Sequence, residues 1–137
     1  GGRLLMSANI NNVAQPYAGI IEIDRITGVT SAFAGAPAGT TSDGTRRTAV
    51  FAQAGELAGD AAGNLVVTDA VGGTMYRIAP DPAATISPLF GSGALGSAGD
   101  YVAATTASVG SFARPAFVAG GPVWFSDPDN HALRVIW

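Results

Sequence analysis

Short apolar runs separated by glycine, proline and polar turns recur along the whole chain. The middle of the chain shows them most clearly, because Leu65–Asp69 and Thr74–Ile78 flank the doublet Gly72-Gly73. Runs of five or six residues rich in β-branched and aromatic side chains are typical of strands. No segment keeps apolar residues at the helical period of 3.6 for more than two turns. The pattern therefore predicts an all-β protein built from short strands.

The predicted strands fall into three groups with the same internal order. The first group holds residues 3–8, 20–24 and 29–34, and the second holds residues 55–60, 65–69, 74–78 and 85–90. In the third group, a strand before Gly120 is followed by one that ends at Asp127 and one that comes after His131. Polar, glycine-rich connections at residues 9–19, 35–47 and 91–111 are expected at the surface.

The groups repeat at a nearly constant spacing. Ser126 stands in the third group where Thr68 stands in the second, and Gly91 closes an outer strand of the second group as Gly35 does in the first. Four short strands within a period of about 58 residues are typical of one β-propeller blade with its connecting loop. We therefore predict a partial β-propeller in one domain. Its blades are residues 1–35, with the inner strand missing, residues 36–91, and residues 92–137, with the outer strand missing.

The charge and composition of the chain exclude several classes of partner. All seven basic residues are Arg, and ten acidic residues give a net charge of −3. An acidic surface without Lys lacks the dense positive patch that phosphate contacts need, so we expect no nucleic-acid partner. No apolar stretch reaches the length of a membrane helix, so we expect no membrane insertion. The absence of Cys removes disulfides and thiolate metal sites.

The start of the sequence and its residue usage bear on its origin. The chain begins without Met and has neither the basic start nor the apolar run of a signal peptide, so we expect a segment of a longer protein. The use of Arg without Lys, together with many Ala and Gly residues, indicates a GC-rich bacterial or archaeal genome. Absence of Cys is compatible with export, and we expect a secreted, periplasmic or cell-surface location.

The last third of the chain resembles the NHL repeat. That motif runs as a Pro-led strand, a glycine turn and an apolar strand ending in Asp, and then Asn-His before an Arg-containing strand. The matching residues are Phe112-Ala113-Arg114-Pro115, Gly120-Gly121, Val123–Asp127, Asn130-His131 and Arg134. The loop that precedes them resembles the connection between NHL blades in bacterial and teneurin-like propellers.

The resemblance extends more weakly over the rest of the chain. The middle group keeps Gly63-Asn64, Asp69 and Arg77 but has Gly72-Gly73 where Asn-His would fall, and the first group has Ala8 in place of the Asp. The resemblance implies about two and a half NHL-type blades of a six-bladed ring. Another chain, a copy of this one, or further sequence of a longer protein would then complete the propeller.

Two acids, Asp69 and Asp127, each end a predicted buried strand just before a turn. A carboxylate in that position accepts backbone N–H groups of the turn, as in Asx-turns. We expect structural roles in turns and packing for these acids and for the residues around them, which are Gly63, Asn64, Asn130 and His131. The alternative is that the acids bind a polar ligand or a calcium ion. A metal needs several converging oxygens, so we expect no cofactor.

His131 is the one histidine of the chain, and with Ser126 and Asp127 it has the composition of a hydrolytic triad. Side chains alternate along a strand, which would point Ser126 and Asp127 to opposite faces, so we expect no catalytic residue. The resemblance implies instead that His131 packs and hydrogen-bonds within its turn.

The remaining charged residues have two predicted roles. Arg77 and Arg134 recur in the third strand of successive groups, and we expect each to lie across the blade surface and pair with an acid. Contacts of the rim loops with a partner are expected from four residues, Asp43, Asp100, Arg46 and Arg47.

Three functions stay open on this sequence. The first is a non-catalytic binding platform or scaffold that recognises a protein or a small ligand through its rim loops. The second is a six-bladed propeller enzyme of the lyase or lactonase type with a metal in its central channel, and the third is a structural repeat of a surface or filament protein. Enzymes of this kind gather acids and histidines from many blades, and this chain has few of them. The sequence therefore favours the platform, with a protein partner.

Overall fold

The computed structural model describes residues 4–10, 17–35, 46, 49–81, 83, 86–111, 114–118 and 121–137. The strands of this part of the chain form three antiparallel sheets, which confirms the all-β prediction. Its helical content is two three-residue 3-10 helices, so the described residues include no helix that could span a membrane.

The first sheet consists of β1 (Leu4–Ile10), β2 (Tyr17–Ile23) and β3 (Thr30–Ala34), in that order. The predicted long connection at residues 9–19 is wrong at both ends, because β1 continues through Asn9 and β2 begins at Tyr17. The Asn9 amide group donates to the Ala54 carbonyl oxygen at 2.7 Å and accepts from the Ala54 N–H at 3.0 Å. A polar residue can remain in the strand because both ends of its amide are hydrogen-bonded.

The middle sheet consists of β4 (Ala54–Gly59), β5 (Leu65–Asp69), β6 (Thr74–Ile78) and β7 (Ser87–Phe90), each paired with the next. Its last three strands repeat the first sheet in detail. β2 and β3 shift register between Ile20 and Ile21, and β6 and β7 shift register between Met75 and Tyr76. The residue after each outer strand is a glycine with positive φ, 105° at Gly35 and 98° at Gly91.

The last sheet consists of β8 (Arg114–Phe117), β9 (Val123–Asp127) and β10 (Ala132–Ile136), with β9 in the centre. The 3-10 helix Pro128–Asn130 joins β9 to β10. No strand pairs with the second edge of β10 among the residues that the structure describes. That edge corresponds to the one on which β6 carries β7.

Two apolar layers hold the three sheets together. One lies between the first and middle sheets and includes Ile20 and Val67, and the other lies between the middle and last sheets and includes Val66 and Phe125. Adjacent residues of β5 thus point into different layers, which is why the whole strand is buried. Face-to-face stacking of small, consecutively paired antiparallel sheets is the arrangement of part of a β-propeller.

Candidate functional site

The predicted acids end two strands at the same side of the molecule, which we call the rim. The rim comprises the turn at residues 70–73, the loop at residues 91–111 and the 3-10 helix Pro128–Asn130. These segments touch one another. The Asn130 amide donates to the Gly96 carbonyl oxygen at 2.8 Å, and a Cβ added to Gly73 would stand 2.9 Å from the Ala94 carbonyl carbon. The three segments therefore form one surface.

Asp69 is buried and accepts three backbone hydrogen bonds. Its Oδ1 accepts the N–H of Gly72 at 2.9 Å, which is the turn cap that the sequence predicts. The N–H groups of Ala52 and Gln53 donate to the same carboxylate at 2.8 and 3.0 Å. These two residues belong to the segment that leads into β4. The carboxylate thus fixes both its own turn and the entry to the sheet.

Asp127 is fully buried and has a different set of partners. Its Oδ1 accepts the Gly110 N–H at 3.1 Å, and the Asn130 side-chain amide donates to its two oxygens at 2.8 and 2.9 Å. An Arg134 guanidinium nitrogen lies 3.4 Å from Oδ2. The predicted backbone cap is therefore wrong for Asp127, because the Asn130 side chain takes the place of a turn N–H.

The two acids hold their incoming loops at the same spacing. Ala52 lies 17 residues before Asp69, and Gly110 lies 17 residues before Asp127. In each case a backbone N–H of the loop donates to the carboxylate at the end of the second strand of the same sheet. We call this contact the clasp. It recurs in two successive groups of strands, so it belongs to the repeat itself.

Arg134 ties β10 to the rim loop. Its guanidinium donates to the Ser108 carbonyl oxygen at 2.7 Å and pairs with Asp100 at 3.2 Å. The guanidinium carbon also lies 5.1 Å from the centre of the Phe90 ring. The Arg134 side chain is 10% exposed, and a cation removed from water to that degree needs such partners to compensate for lost hydration.

The predicted equivalence of Arg77 and Arg134 is wrong. Arg134 pairs across the strands with Phe125, whereas Arg77 pairs with Val66. The residue that occupies the place of Arg134 in the middle sheet is Tyr76, which pairs with Val67. Side chains alternate along a strand, so a shift of one residue turns a side chain to the opposite face. Arg77 is accordingly exposed, while Arg134 is largely buried.

His131 follows the 3-10 helix in a left-handed conformation with φ of 51°, and its N–H donates to the Pro128 carbonyl oxygen at 3.1 Å. Its side chain is exposed, unlike the packed one that the NHL resemblance implies. The oxygens of Asp127 are engaged by other donors, so Ser126, Asp127 and His131 do not form a triad. No group of three acid, His or Cys side chains that could hold a metal occurs within the described ranges.

The four predicted rim contacts have different outcomes. Asp100 is exposed on the rim and pairs with Arg134, while Asp43 and Arg47 lie outside the described residues. The prediction for Arg46 is wrong, since this residue is 3% exposed. Its guanidinium carbon lies 4.0 Å from the centre of the Phe33 ring, a contact that allows a cation to be buried.

The turn that contains Gly63 and Asn64 lies at the end of the sheet opposite to the rim. The Asn64 side-chain amide donates to Asp60 at 2.7 Å, and this bond is the main cause that lowers the pKa of Asp60. In the first sheet, the backbone N–H of Thr27 is the main cause that lowers the pKa of Asp24. Both acids therefore stabilise turns in their ionised form.

Exposed apolar side chains stand on the rim. Val71, Leu95, Tyr101 and Val102 are each more than half exposed, and Tyr101 has a positive φ of 63°. Sequence reasoning missed these residues because single apolar residues in a glycine-rich loop carry no periodic signal. Their position in a loop between repeats is the signal that could have found them.

A groove of about 450 Å³ lies between the rim loop and the unpaired edge of β10. The residues that line it include Phe90, Tyr101, Ala104, Leu133, Ile136 and Trp137. Trp137 is nearly fully exposed beside this groove. The groove is thus bounded by apolar and aromatic side chains on both sides.

No family model matches the chain, and no curated protein sequence matches it. Among solved structures, the chain is similar to a structural genomics protein of unknown function from Bacteroides thetaiotaomicron VPI-5482, determined by crystallography at 1.70 Å resolution. The similarity covers 88% of this chain with a TM-score of 0.72 and 19% sequence identity. The chain spans 32% of the length of that protein. At this identity the likeness shows the fold alone.

Proposed function

We propose that the chain is part of an NHL-type, six-bladed β-propeller that acts as a non-catalytic binding platform, with the rim as its contact surface for a protein partner. The stacked sheets and the NHL-like residues of the last third support the propeller. Further strands, supplied by another chain, by a copy of this one or by further sequence of a longer protein, complete the ring.

The chemistry of the buried acids favours a platform over an enzyme. An acid that acts on a substrate needs a lone pair directed at the substrate. Asp69 and Asp127 instead direct their oxygens at Ala52, Gly72, Gly110 and other protein donors. We therefore infer a structural role for both acids.

The exposed apolar side chains of the rim are the observation that carries the proposal. Leu95, Tyr101 and Val102 come from one loop, and Val71 comes from the turn that touches this loop. The loop is held by hydrogen bonds from Asn130 to the Gly96 carbonyl oxygen and from Arg134 to the Ser108 carbonyl oxygen, so its side chains are presented on a tethered backbone. Exposed apolar patches surrounded by polar residues are typical of protein-binding surfaces, and tyrosine, the residue type of Tyr101, is enriched among the residues that contribute most to binding.

A pull-down from an extract of the source organism, with the chain immobilised, tests this proposal. The double variant Val71→Arg/Leu95→Arg should lose a protein that the unchanged chain captures, with an affinity lower by about tenfold or more. The matched control is Ile26→Arg/Val29→Arg, since these two residues are also exposed but lie on the turn between β2 and β3, opposite to the rim. This control should retain capture.

Equal capture by both double variants would refute the rim as the contact surface. Measurement of the urea midpoint of each variant separates a loss of binding from a loss of folding. The metal content of the purified protein decides between the platform and the enzyme, because stoichiometric calcium or zinc would favour the lyase or lactonase type.

A further inference from the structure

A pocket of about 280 Å³ lies where β6 and β7 meet the loop at residues 91–111. The middle sheet, to which both strands belong, has an apolar layer and a neighbouring sheet of this chain on each face. The exposed apolar side chains that carry the proposed function, Val71, Leu95, Tyr101 and Val102, do not line the pocket. The pocket therefore depends neither on the strands that complete the ring nor on the rim as a protein-binding surface.

Apolar side chains of the middle sheet form one part of the pocket. Tyr76 pairs across the strands with Pro88, so both side chains lie on the same face of the sheet. Ile86, just before β7, is buried in the apolar layer on that face, and Tyr76 packs against the same layer. The Phe51 ring meets the Tyr76 ring edge to face, with the ring centres 5.8 Å apart. This contact fixes the position of the Tyr76 ring in the pocket wall.

The other lining side chains of the pocket carry hydroxyl groups. The Thr74 hydroxyl donates to a backbone carbonyl oxygen of its own turn at 3.2 Å, and its oxygen can still accept. The hydroxyls of Ser92 and Thr105 have no protein partner among the described residues. Their backbones are held in place, because Thr105 lies within the 3-10 helix Ala104–Thr106 and the Ser92 N–H donates to the Ala107 carbonyl oxygen at 2.8 Å. The pocket thus has hydroxyls that are fixed in place and open to a ligand.

The chemistry of the lining residues selects the class of ligand. Within the described residues, no charged side chain lines the pocket, so a phosphate or carboxylate group would find no cation there. A hydroxyl both donates and accepts hydrogen bonds, so a ligand that carries hydroxyls itself can use both capacities. The ring of a neutral sugar carries hydroxyls around its edge and C–H groups on its faces.

From this match we infer that the pocket binds one ring of a neutral sugar. The C–H face of the ring lies against Tyr76 and Pro88, and its hydroxyls bond to Ser92 and Thr105. The space of about 280 Å³ suits a single ring, because pockets for larger, drug-sized ligands begin at about 300 Å³.

NMR titration of the full 137-residue chain tests this inference, with glucose, galactose, mannose and N-acetylglucosamine as separate probes. We expect at least one of them to bind saturably, with one molecule per chain and a Kd below about 10 mM. Cyclohexanol, a six-membered ring with a single hydroxyl, should bind at least about tenfold more weakly, since it cannot bond to Ser92 and Thr105 together. This comparison uses the unchanged chain, so it does not depend on the folding of any variant.

Variants of the protein complete the test. Ser92→Ala and Thr105→Ala each remove one hydroxyl and should raise the Kd of the bound sugar about three- to tenfold. Ser97→Ala is the matched control, because Ser97 is an exposed serine of the same loop that does not line the pocket, and it should leave the Kd unchanged. The urea midpoint of each variant separates a loss of binding from a loss of folding.

Three results would each overturn the inference. They are absence of binding by all four sugars at about 10 mM, cyclohexanol binding as tight as that of the sugar, and an unchanged Kd in both hydroxyl variants. The rim variant Val71→Arg/Leu95→Arg leaves the pocket intact and should bind the sugar normally. Absence of sugar binding with capture by the rim retained would therefore refute the pocket alone, and loss of capture with sugar binding retained would leave the pocket supported.

Discussion

Replacement of Asp127 by Ala tests whether the clasp holds the last sheet. The substitution leaves the buried Gly110 N–H without its acceptor, which costs about 1–3 kcal/mol. Arg134 loses one partner but keeps the Ser108 carbonyl and Asp100, so its loss adds about 1 kcal/mol and not the larger cost of a stranded buried charge. The free energy of unfolding should therefore fall by about 2–4 kcal/mol.

Asp129→Ala is the matched control, because Asp129 lies two residues along the chain and its carboxylate also accepts a backbone N–H. Asp129 is exposed and accepts the N–H of Ser111 at 2.9 Å. Water can replace it, so we expect a loss of about 1 kcal/mol or less. With a urea m-value of about 2 kcal/mol/M, the midpoint should fall by about 1–2 M for Asp127→Ala and by about 0.5 M or less for the control.

Urea unfolding followed by circular dichroism and by Trp fluorescence measures both variants, and coincident curves establish that one transition is being compared. Equal midpoints for Asp127→Ala and Asp129→Ala would refute the reasoning, since burial would then make no difference to the contact. A lower m-value for Asp127→Ala would show a change in the native or denatured ensemble, and the midpoints would then be converted with each variant's own m-value.

Two further predictions concern turns. Gly91→Ala should lower the free energy of unfolding by about 2–4 kcal/mol, because residue 91 has a positive φ and the added Cβ would overlap the Gly73 carbonyl oxygen. Gly93→Ala is the control, since residue 93 also has a positive φ but its added Cβ would have no atom within 4 Å, and it should cost about 1–2 kcal/mol. Equal urea midpoints for the two variants would contradict the steric argument. The pKa of Asp60 is lowered in the folded chain, so its contribution is fully present above the ordinary value of 3.8 and is lost as the pH falls through the lower folded value. The stability difference between the unchanged chain and Asp60→Asn should therefore be constant from pH 6 to 8 and shrink below pH 3.8, and a difference that grows on acidification would contradict it.

Local signals in the sequence determine β5 and β6, whose predicted bounds agree with the structure. Each is a short apolar run that turn residues limit on both sides. β1 is longer than predicted because the partner of Asn9 is Ala54, which lies 45 residues away. A polar residue whose hydrogen-bond partner is a backbone group far along the chain has the same local sequence signal as the first residue of a loop.

The candidate site could be predicted only in part, since its acids have a sequence signal and their partners have none. Asp69 and Asp127 stand out because each ends a strand before a turn, but their clasp partners are backbone N–H groups and have no side-chain signature. Alignment of the second and third groups of strands would have shown Ala52 and Gly110 at the same distance from the acids. The charge of Arg46 predicts a surface position, but the ring that covers it belongs to Phe33, in β3.

The clasp also determines where one repeat begins. Gly110 lies ahead of β8, yet it is bound to the end of β9, so a break in the chain at Arg114 would separate the two halves of the contact. A break just after Gly91 keeps them together, along with Ala107, whose side chain packs in the layer beside the last sheet. The block of this protein that can be duplicated, deleted or transplanted as a whole is therefore the loop with the sheet that follows it. Fusions that exchange repeats with other proteins should be joined within the first residues of that loop.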